Sequence, residues 1–269
     1  MTIAFIGAGN MAISLIRGLL SNGMSTADLI AADPSDVQRA NAKGIGIRTE
    51  ADNNIAISEA DIIVVAVKPQ IAGQVLKSLN TIKGTQLVIS VAAGIGLESL
   101  QSWLPEGQPI VRCMPNTPAL VGAGMTGLYA NEQVKPEHRE AAERVLEAAG
   151  AVVWVPSEGL LDAVTAVSGS GPAYFFLLME YMAKTGTALG LDADTSRMLT
   201  LQTALGAALM AQRSTEPLAN LRQNVTSPGG TTEAAINTML EHGMPEAIES
   251  ALQAAQQRSI QLAKEFGNP

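Results

Sequence analysis

Short apolar runs alternate with longer stretches of helical spacing through the first part of the chain. The runs span residues 3–6, 29–32, 62–67, 87–91 and 110–114, and each holds aliphatic or β-branched side chains with almost no polar alternation. A strand covered on both faces needs that pattern, so the rhythm predicts a parallel, doubly wound sheet with helices on either side. Two further runs, 127–130 and 152–155, flank a charged helical stretch at 136–149 with Pro136 in its first turn. They are predicted to extend the same sheet.

After Pro156 the runs stop, and Ala-, Leu- and Met-rich segments at helical spacing continue to Phe266. The change of period predicts two domains, 1–157 built on the sheet and 158–269 all-helical, and the length suits two. No repeat of fixed period and no low-complexity linker interrupts the chain. The segment 171–191 holds Tyr174, Phe175, Phe176, Leu177, Leu178, Met179, Tyr181 and Met182, and is apolar on almost every helical face. A domain of roughly 110 residues cannot cover such a helix alone. A second copy of the chain is therefore predicted to share it, as an obligate interface resembling a common core would. Two charge-poor stretches, 163–179 and 198–212, fall short of the ~18 clean apolar residues of a membrane span and are predicted as buried interior helices.

With 47% hydrophobic residues but only 3% aromatic, the core must be filled with Ala, Leu, Ile, Val and Met, which favours close helix packing. A net charge of -8 offers no basic stripe to a polyanion, which argues against a nucleic-acid partner. The single cysteine, Cys113, cannot staple the fold or build a thiolate metal site, and His138 and His242 lack ligand spacing, so no metal is expected. Cys113 is read as a small core residue, His138 as part of a solvated helix face and His242 as the cap of a helix end before Gly243. The N-terminus has no basic start or cleavage site and runs straight into the first strand, so the cytoplasm is the expected location.

Gly7-Ala8-Gly9-Asn10-Met11-Ala12 follows the first run and opens a helical stretch, which is the G-x-G-x-x-A form of the dinucleotide fingerprint in its proper setting. Gly7 permits the sharp turn, Gly9 lets the backbone approach a pyrophosphate, and Ala12 allows close helix packing, while the N–H groups at the helix start, those of Asn10 and Met11 among them, bind the diphosphate. The first domain is thus predicted to bind a dinucleotide. Asp33 ends the second run, where an acid would accept from adenosine ribose hydroxyls and favour NAD; it stands equally well as a helix N-cap before Pro34. Ser35 and Arg39 are candidate donors to a 2′-phosphate. Ala66, Val67, Lys68 and Pro69 close the third run at the sheet edge where cofactors lie.

In the second half, Ser227-Pro228-Gly229-Gly230-Thr231-Thr232 packs hydroxyls and two glycines into one turn before a helical run. Backbone N–H groups of Gly229 and Gly230, the helix N-terminus and the hydroxyls of Ser227, Thr231 and Thr232 would suit a carboxylate, although an elaborate helix cap has the same appearance.

These motifs, with Ala92-Ala93-Gly94, Arg112-Cys113-Met114-Pro115-Asn116-Thr117-Pro118 and Ser168-Gly169-Ser170-Gly171-Pro172-Ala173-Tyr174 in this order, make the chain resemble the pyrroline-5-carboxylate reductase family over essentially its whole length. The resemblance implies a Rossmann domain followed by an all-α domain that exchanges helices in a homodimer, with dimers assembling further into rings such as a decamer. It implies reduction of 1-pyrroline-5-carboxylate to L-proline, the last step of proline biosynthesis, by hydride transfer from NADPH and also from NADH. On that basis the 227–232 turn holds the substrate carboxylate and Thr232 contacts the ring nitrogen as the one catalytic side chain. Asn53 would lie near the adenosine ribose or its phosphate, and Ala92 and Asn116 near the nicotinamide. Imine reduction needs a hydride and a protonated nitrogen but no nucleophile or metal, which agrees with the lack of a catalytic triad. Two other readings are weaker. A hydroxyacid dehydrogenase would carry a lysine soon after the 168–171 turn, where the next lysine here is Lys184. A non-catalytic dinucleotide sensor would have no use for the 227–232 turn.

Overall fold

The computed structural model describes residues 1–267. Among them, eight strands form one sheet in the order β3-β2-β1-β4-β5-β6-β7-β8. The strands are β1 (Ile3–Ile6), β2 (Leu29–Ala32), β3 (Arg48–Glu50), β4 (Ile62–Val65), β5 (Leu87–Ser90), β6 (Ile110–Met114), β7 (Gly124–Ala130) and β8 (Gly150–Trp154). The helices threaded between them are α1 (Asn10–Ser21), α2 (Asp36–Gly44), α3 (Asn53–Ser58), α4 (Pro69–Lys77), α5 (Leu97–Trp103) and α6 (Pro136–Glu147).

Strands β1 to β6 run parallel, and the doubly wound order reverses between β1 and β4. Strand β7 is antiparallel to β6, and β8 is parallel to β7, so the sheet is mixed at this edge rather than parallel throughout. The alternation inside β1 explains the two layers. Ile3 and Phe5 enter one core with Leu15 and Ile16 of α1 and Val145 and Leu146 of α6. Ala4 and Ile6 enter the other with Ile57 of α3, Leu76 of α4 and Leu100 of α5.

The predicted runs at 62–67 and 87–91 are longer than the strands they become, because their last residues leave the sheet as the turns that build its carboxyl edge. Strand β3 is absent from the sequence reading: it is three residues, Arg-Thr-Glu, with no apolar run, and it forms because Ile30, Ala31 and Ala32 offer a free strand edge.

Beyond β8 the described residues are helical: α7 (Leu160–Val164), a π-helical turn (Thr165–Gly169), α8 (Gly171–Ala188), α9 (Ala193–Arg213), α10 (Leu218–Asn224), α11 (Thr231–Glu241) and α12 (Met244–Phe266). By packing, the chain resolves into two units, one of residues 1–170 with the chain from 255 onward, the other of residues 171–254. This division differs from the change of pattern at 157/158, because α7 and the π turn lie against the sheet and the last half of α12 returns to it. Ser259 Oγ donates to Asp162 Oδ1 at 2.7 Å, and Ser99 Oγ donates to the Gly267 carbonyl at 2.5 Å.

In the second unit, α8 and α9 pack closely enough that a Cβ on Gly186 would fall 2.3 Å from Ser196 Oγ. The expectation of interior helices is not met within one chain. Phe175, Phe176, Leu177 and Tyr181 on α8, and Met198, Leu199, Leu205 and Met210 on α9, are all more than half exposed except Leu199, which is 50% exposed. No helix of the described residues is long and apolar enough to cross a membrane.

Candidate active site

The turns that follow β1, β2, β4, β5 and β6 meet along the carboxyl edge of the sheet. Gly7 leaves β1 with φ +93°, and its N–H donates to the Ala32 carbonyl at 2.7 Å. A Cβ there would lie 2.7 Å from the Ala66 carbonyl oxygen, so the first glycine is required by the neighbouring turn itself. At Gly9 a Cβ would meet nothing within 4 Å. Space is therefore open above Gly9, and it is the N-cap of α1 with no side chain capping the helix. The first N–H groups of α1, on Asn10, Met11 and Ala12, point out of the helix without intrahelical acceptors. An open cradle beside an uncapped helix start fits a dinucleotide pyrophosphate.

Asp33 is neither an N-cap nor a free acid. Ser35 caps α2 through the Gln38 N–H, and the Asp33 carboxylate accepts from the N–H groups of Ala8 and Ser35, both at 2.9 Å. Arg39 donates to the Asp33 carbonyl at 2.6 Å and pairs with Asp36. Asn53 begins α3 just past β3, whose last residue pairs with the last of β2, so it stands at the same edge. On the other side, Ala66 and Val67 are half-buried beside Gly7, Lys68 is exposed, and Pro69 starts α4.

Ala92 is buried, and Gly94, at φ +76°, lies under α12 with Leu262 and Phe266 each 3.5 Å from where its Cβ would be. Both polar atoms of the Asn116 side chain are bonded within the protein. Its amide nitrogen donates to the Ser168 carbonyl at 3.1 Å, and its oxygen accepts from the Met125 N–H at 2.9 Å. The loop after β6 is thereby tied to the π turn and to β7, which leaves backbone rather than the Asn116 side chain to face a ligand. Sequence reading missed Glu158. Its Oε1 accepts from Arg112 at 2.6 Å and from the Leu97 N–H at 2.7 Å, joining β6, the start of α5 and the segment after β8. The separations of 46 and 61 residues left no local signal.

The 227–232 turn lies in the second unit. Gly229 has φ +69°, and Gly230 is the N-cap of α11. The glycine N–H groups are not open, contrary to the sequence reading. Gly229 donates to Glu233 Oε2 at 2.7 Å, and Gly230 donates to the Ser227 carbonyl at 3.0 Å. What remains for an anion is the first turn of α11, the N–H groups of Thr231 and Thr232, together with the exposed hydroxyls of Ser227, Thr231 and Thr232. Glu233 thus closes the turn from the first turn of α11, one of its carboxylate oxygens accepting a donor that the sequence offers to a substrate carboxylate.

The residues assigned no chemistry fall into structural places. Cys113 is buried, and desolvation pushes its thiol well above the ordinary value against a smaller lowering by Arg112. His138 accepts from the Lys135 N–H at the start of α6, and His242 ends α11 with Nδ1 2.8 Å from the Thr238 carbonyl. Lys184 pairs with Glu180 at 2.5 Å on an exposed helix face, and that hydrogen bond raises its pKa. No group of three or more His, Cys, Asp or Glu among the described residues is placed to hold a metal ion.

Comparison with known proteins gives matches in both halves. Residues 158–262 match the pyrroline-5-carboxylate reductase dimerisation family, and residues 2–94 match the family described as NADP oxidoreductase coenzyme F420-dependent. Pyrroline-5-carboxylate reductase of Pseudomonas aeruginosa is 51% identical over 267 residues, covering 98% of each chain. That of Pasteurella multocida is 42% identical, again over 98% of each. Among solved structures, a pyrroline-5-carboxylate reductase from Coxiella burnetii superposes with a TM-score of 0.92 at 41% identity, covering 100% of this chain and 99% of that one. The Plasmodium falciparum pyrroline carboxylate reductase with NADP bound superposes at 0.87 and 30% identity, over 98% of each. With an uncapped dinucleotide cradle at the sheet edge and full-length similarity of this degree, the chain belongs to the pyrroline-5-carboxylate reductase family.

Proposed function

We propose that this protein reduces 1-pyrroline-5-carboxylate to L-proline, the last step of proline biosynthesis, with NADPH as hydride donor and NADH as a second donor. The observation that carries the reading is the 51% identity to a pyrroline-5-carboxylate reductase over 98% of both chains. Residues 1–157 serve as the dinucleotide domain and 158–269 as the substrate-binding and dimerisation domain, a division supported by the family match that begins at residue 158. The protein is a cytoplasmic homodimer that assembles further, in the manner of a decamer.

Bound NADPH supplies the hydride that the imine carbon receives. The first turn of α1, with Gly7, Gly9, Asn10 and Met11, holds its pyrophosphate; Ser35 and Asn53 hold the adenosine end. The turns at Ala66, Val67, Lys68 and Pro69, and at Ala92 and Asn116, wall the nicotinamide end. The turn fixes the substrate carboxylate through the N–H groups of Thr231 and Thr232 and the hydroxyls of Ser227, Thr231 and Thr232, with Gly229 and Gly230 giving the turn its shape, so that orientation and charge placement supply most of the rate. Thr232 hydrogen-bonds the ring nitrogen. A threonine hydroxyl is a poor acid, so it positions an iminium that arrives protonated or relays a proton from water.

The test is substrate-dependent loss of NADPH absorbance. Thr232→Ala is expected to lower kcat/KM by about 10- to 100-fold, the worth of one hydrogen bond to a charged group, without abolishing turnover. Unchanged steady-state constants would remove Thr232 from the mechanism, and no oxidation of either cofactor in protein that binds them would reject the reductase reading.

Glu233 gives a second expectation. Its carboxylate sits at the Gly229 N–H and repels an anionic substrate in the same turn. Glu233→Gln keeps an oxygen acceptor for Gly229 and removes the charge, so KM for the imine should fall about threefold to tenfold with kcat nearly unchanged. A rise in KM would mean that the carboxylate builds the site instead of competing for it.

A further inference from the structure

We propose that Asp33 is a positioning residue for the glycine-rich turn, and that Arg39 is the residue that discriminates between dinucleotides with and without a ribose 2′-phosphate. The inference rests on the reading of the carboxyl edge as a dinucleotide site and goes beyond it to the selectivity of that site.

An acid directly after the second strand ordinarily accepts hydrogen bonds from the adenosine ribose and thereby selects the unphosphorylated cofactor. Here the carboxylate is turned onto the protein. One oxygen takes the Ala8 N–H at 2.9 Å and the other takes the Ser35 N–H at 2.9 Å. Ala8 lies inside Gly7-Ala8-Gly9, so Asp33 clasps the β1–α1 turn to the β2–α2 turn across 25 residues of sequence. Its backbone is pinned as well, the Asp33 N–H donating to the Glu50 carbonyl at 3.2 Å. A carboxylate held by two backbone donors fixes the height and tilt of the turn that any pyrophosphate must meet.

The positive charge at this corner belongs to Arg39, one helical turn after Ser35. Its guanidinium lies across the β2–α2 turn, donating to the Asp33 carbonyl at 2.6 Å and pairing with the Asp36 carboxylate. The Arg39 side chain is only 21% exposed, whereas that of Asp36 is 93% exposed. The cation is thus placed by the fold, while its acidic partner is held in water, where such a pair is weak and yields to a phosphate dianion. A guanidinium has five N–H donors, and these two partners leave others for a phosphomonoester. With the acid committed to two backbone donors and a cation held beside it on the same turn, an aspartate after β2 does not exclude NADPH.

Calorimetric titration of the whole cofactor-free protein with NADPH and with NADH separates the roles. Arg39→Ala is expected to weaken NADPH by at least about tenfold and NADH by less than about twofold, because only one ligand carries the phosphate. Asp33→Ala and the more conservative Asp33→Asn are expected to weaken both ligands by a common factor. The Ala8 amide should also lose protection from hydrogen exchange in the free protein. The Asn variant keeps one acceptor, and should fall between parent and alanine in both readouts. An Asp33 variant that weakens NADH alone, or tightens NADPH, would make the carboxylate the ribose receptor and overturn the proposal. An Arg39→Ala protein in which both ligands move together would do the same. A parent protein that binds neither dinucleotide is a different failure, that of the cofactor site itself.

Discussion

Gly7→Ala is expected to weaken NADPH binding by at least about 100-fold and to lower the thermal midpoint by roughly 10 °C, whereas Gly9→Ala should weaken binding with no change in the midpoint. The contrast follows from the two environments. Gly7 sits at φ +93°, a conformation that costs an alanine about 1–2 kcal/mol, and its new Cβ would also lie 2.7 Å from the Ala66 carbonyl oxygen and 3.1 Å from Val67. Neither neighbour can retreat freely, because the Ala66 N–H is bonded to the Ile6 carbonyl at 2.8 Å inside the β1–β4 junction. The strain therefore displaces the turn and the start of α1 together. At Gly9 a Cβ meets no protein atom within 4 Å, so an alanine there leaves the fold untouched and intrudes only on what approaches from outside. Titration with NADPH beside a melting curve for each variant checks this. Unchanged NADPH binding by the Gly9 variant would mean that the turn is not the cofactor cradle.

How much of this was readable beforehand depends on how far apart in sequence the partners are. The runs at 3–6, 29–32 and 110–114 coincide with β1, β2 and β6 because each is bounded by turn residues and lies in the middle of the sheet, where pattern and burial agree. The glycine-rich turn was legible for the same reason: its strand, its turn and its helix are contiguous. Strand β3 was not, since Arg48, Thr49 and Glu50 carry no apolar signal and are strand only through their pairing with β2. The antiparallel edge escaped as well, because an apolar run has no direction until its neighbour is known.

Side-chain commitments were the least legible part of the candidate site. Asp33, Asn116 and Glu233 could each be recognised as polar residues at a sheet edge or helix start. What each is bonded to is decided by residues 25, 52 and four positions away, in turns whose geometry the sequence does not announce. In all three places the hydrogen-bonding capacity that the sequence leaves open to a ligand is taken by the protein, the Asp33 carboxylate accepting from the Ala8 and Ser35 N–H groups. Asn116 braces the loop after β6 against Ser168 and Met125, and the Gly229 N–H is held by Glu233. The expectation that the glycines of the 227–232 turn present free donors was thus corrected by a residue just outside the motif.

Helix α8 gives the other large expected effect: the double variant Phe175→Glu, Phe176→Glu should convert the assembled protein to monomer and lower activity by at least about 100-fold. Phe175 is 63% and Phe176 64% exposed in the single chain, with Leu177 at 55% and Tyr181 at 59% alongside. Rings this exposed contribute little packing inside their own chain, so their replacement removes little intramolecular stability. A soluble monomer does not leave a contiguous apolar face of this kind in water, and the region lies inside the segment that matches the dimerisation family, 158–262. In a two-fold assembly each substitution appears twice across the interface, which places four carboxylates in a surface meant to be dry. Sedimentation velocity reads the mass, and far-ultraviolet circular dichroism shows whether the helices persist. A variant that keeps both the parent's mass and its activity would show that this face of α8 is not the one a second copy covers. A folded monomer that binds NADPH as tightly as the parent but does not turn over would separate the roles of the two units. The sheet edge would then suffice for the cofactor, and the imine would require the paired helices.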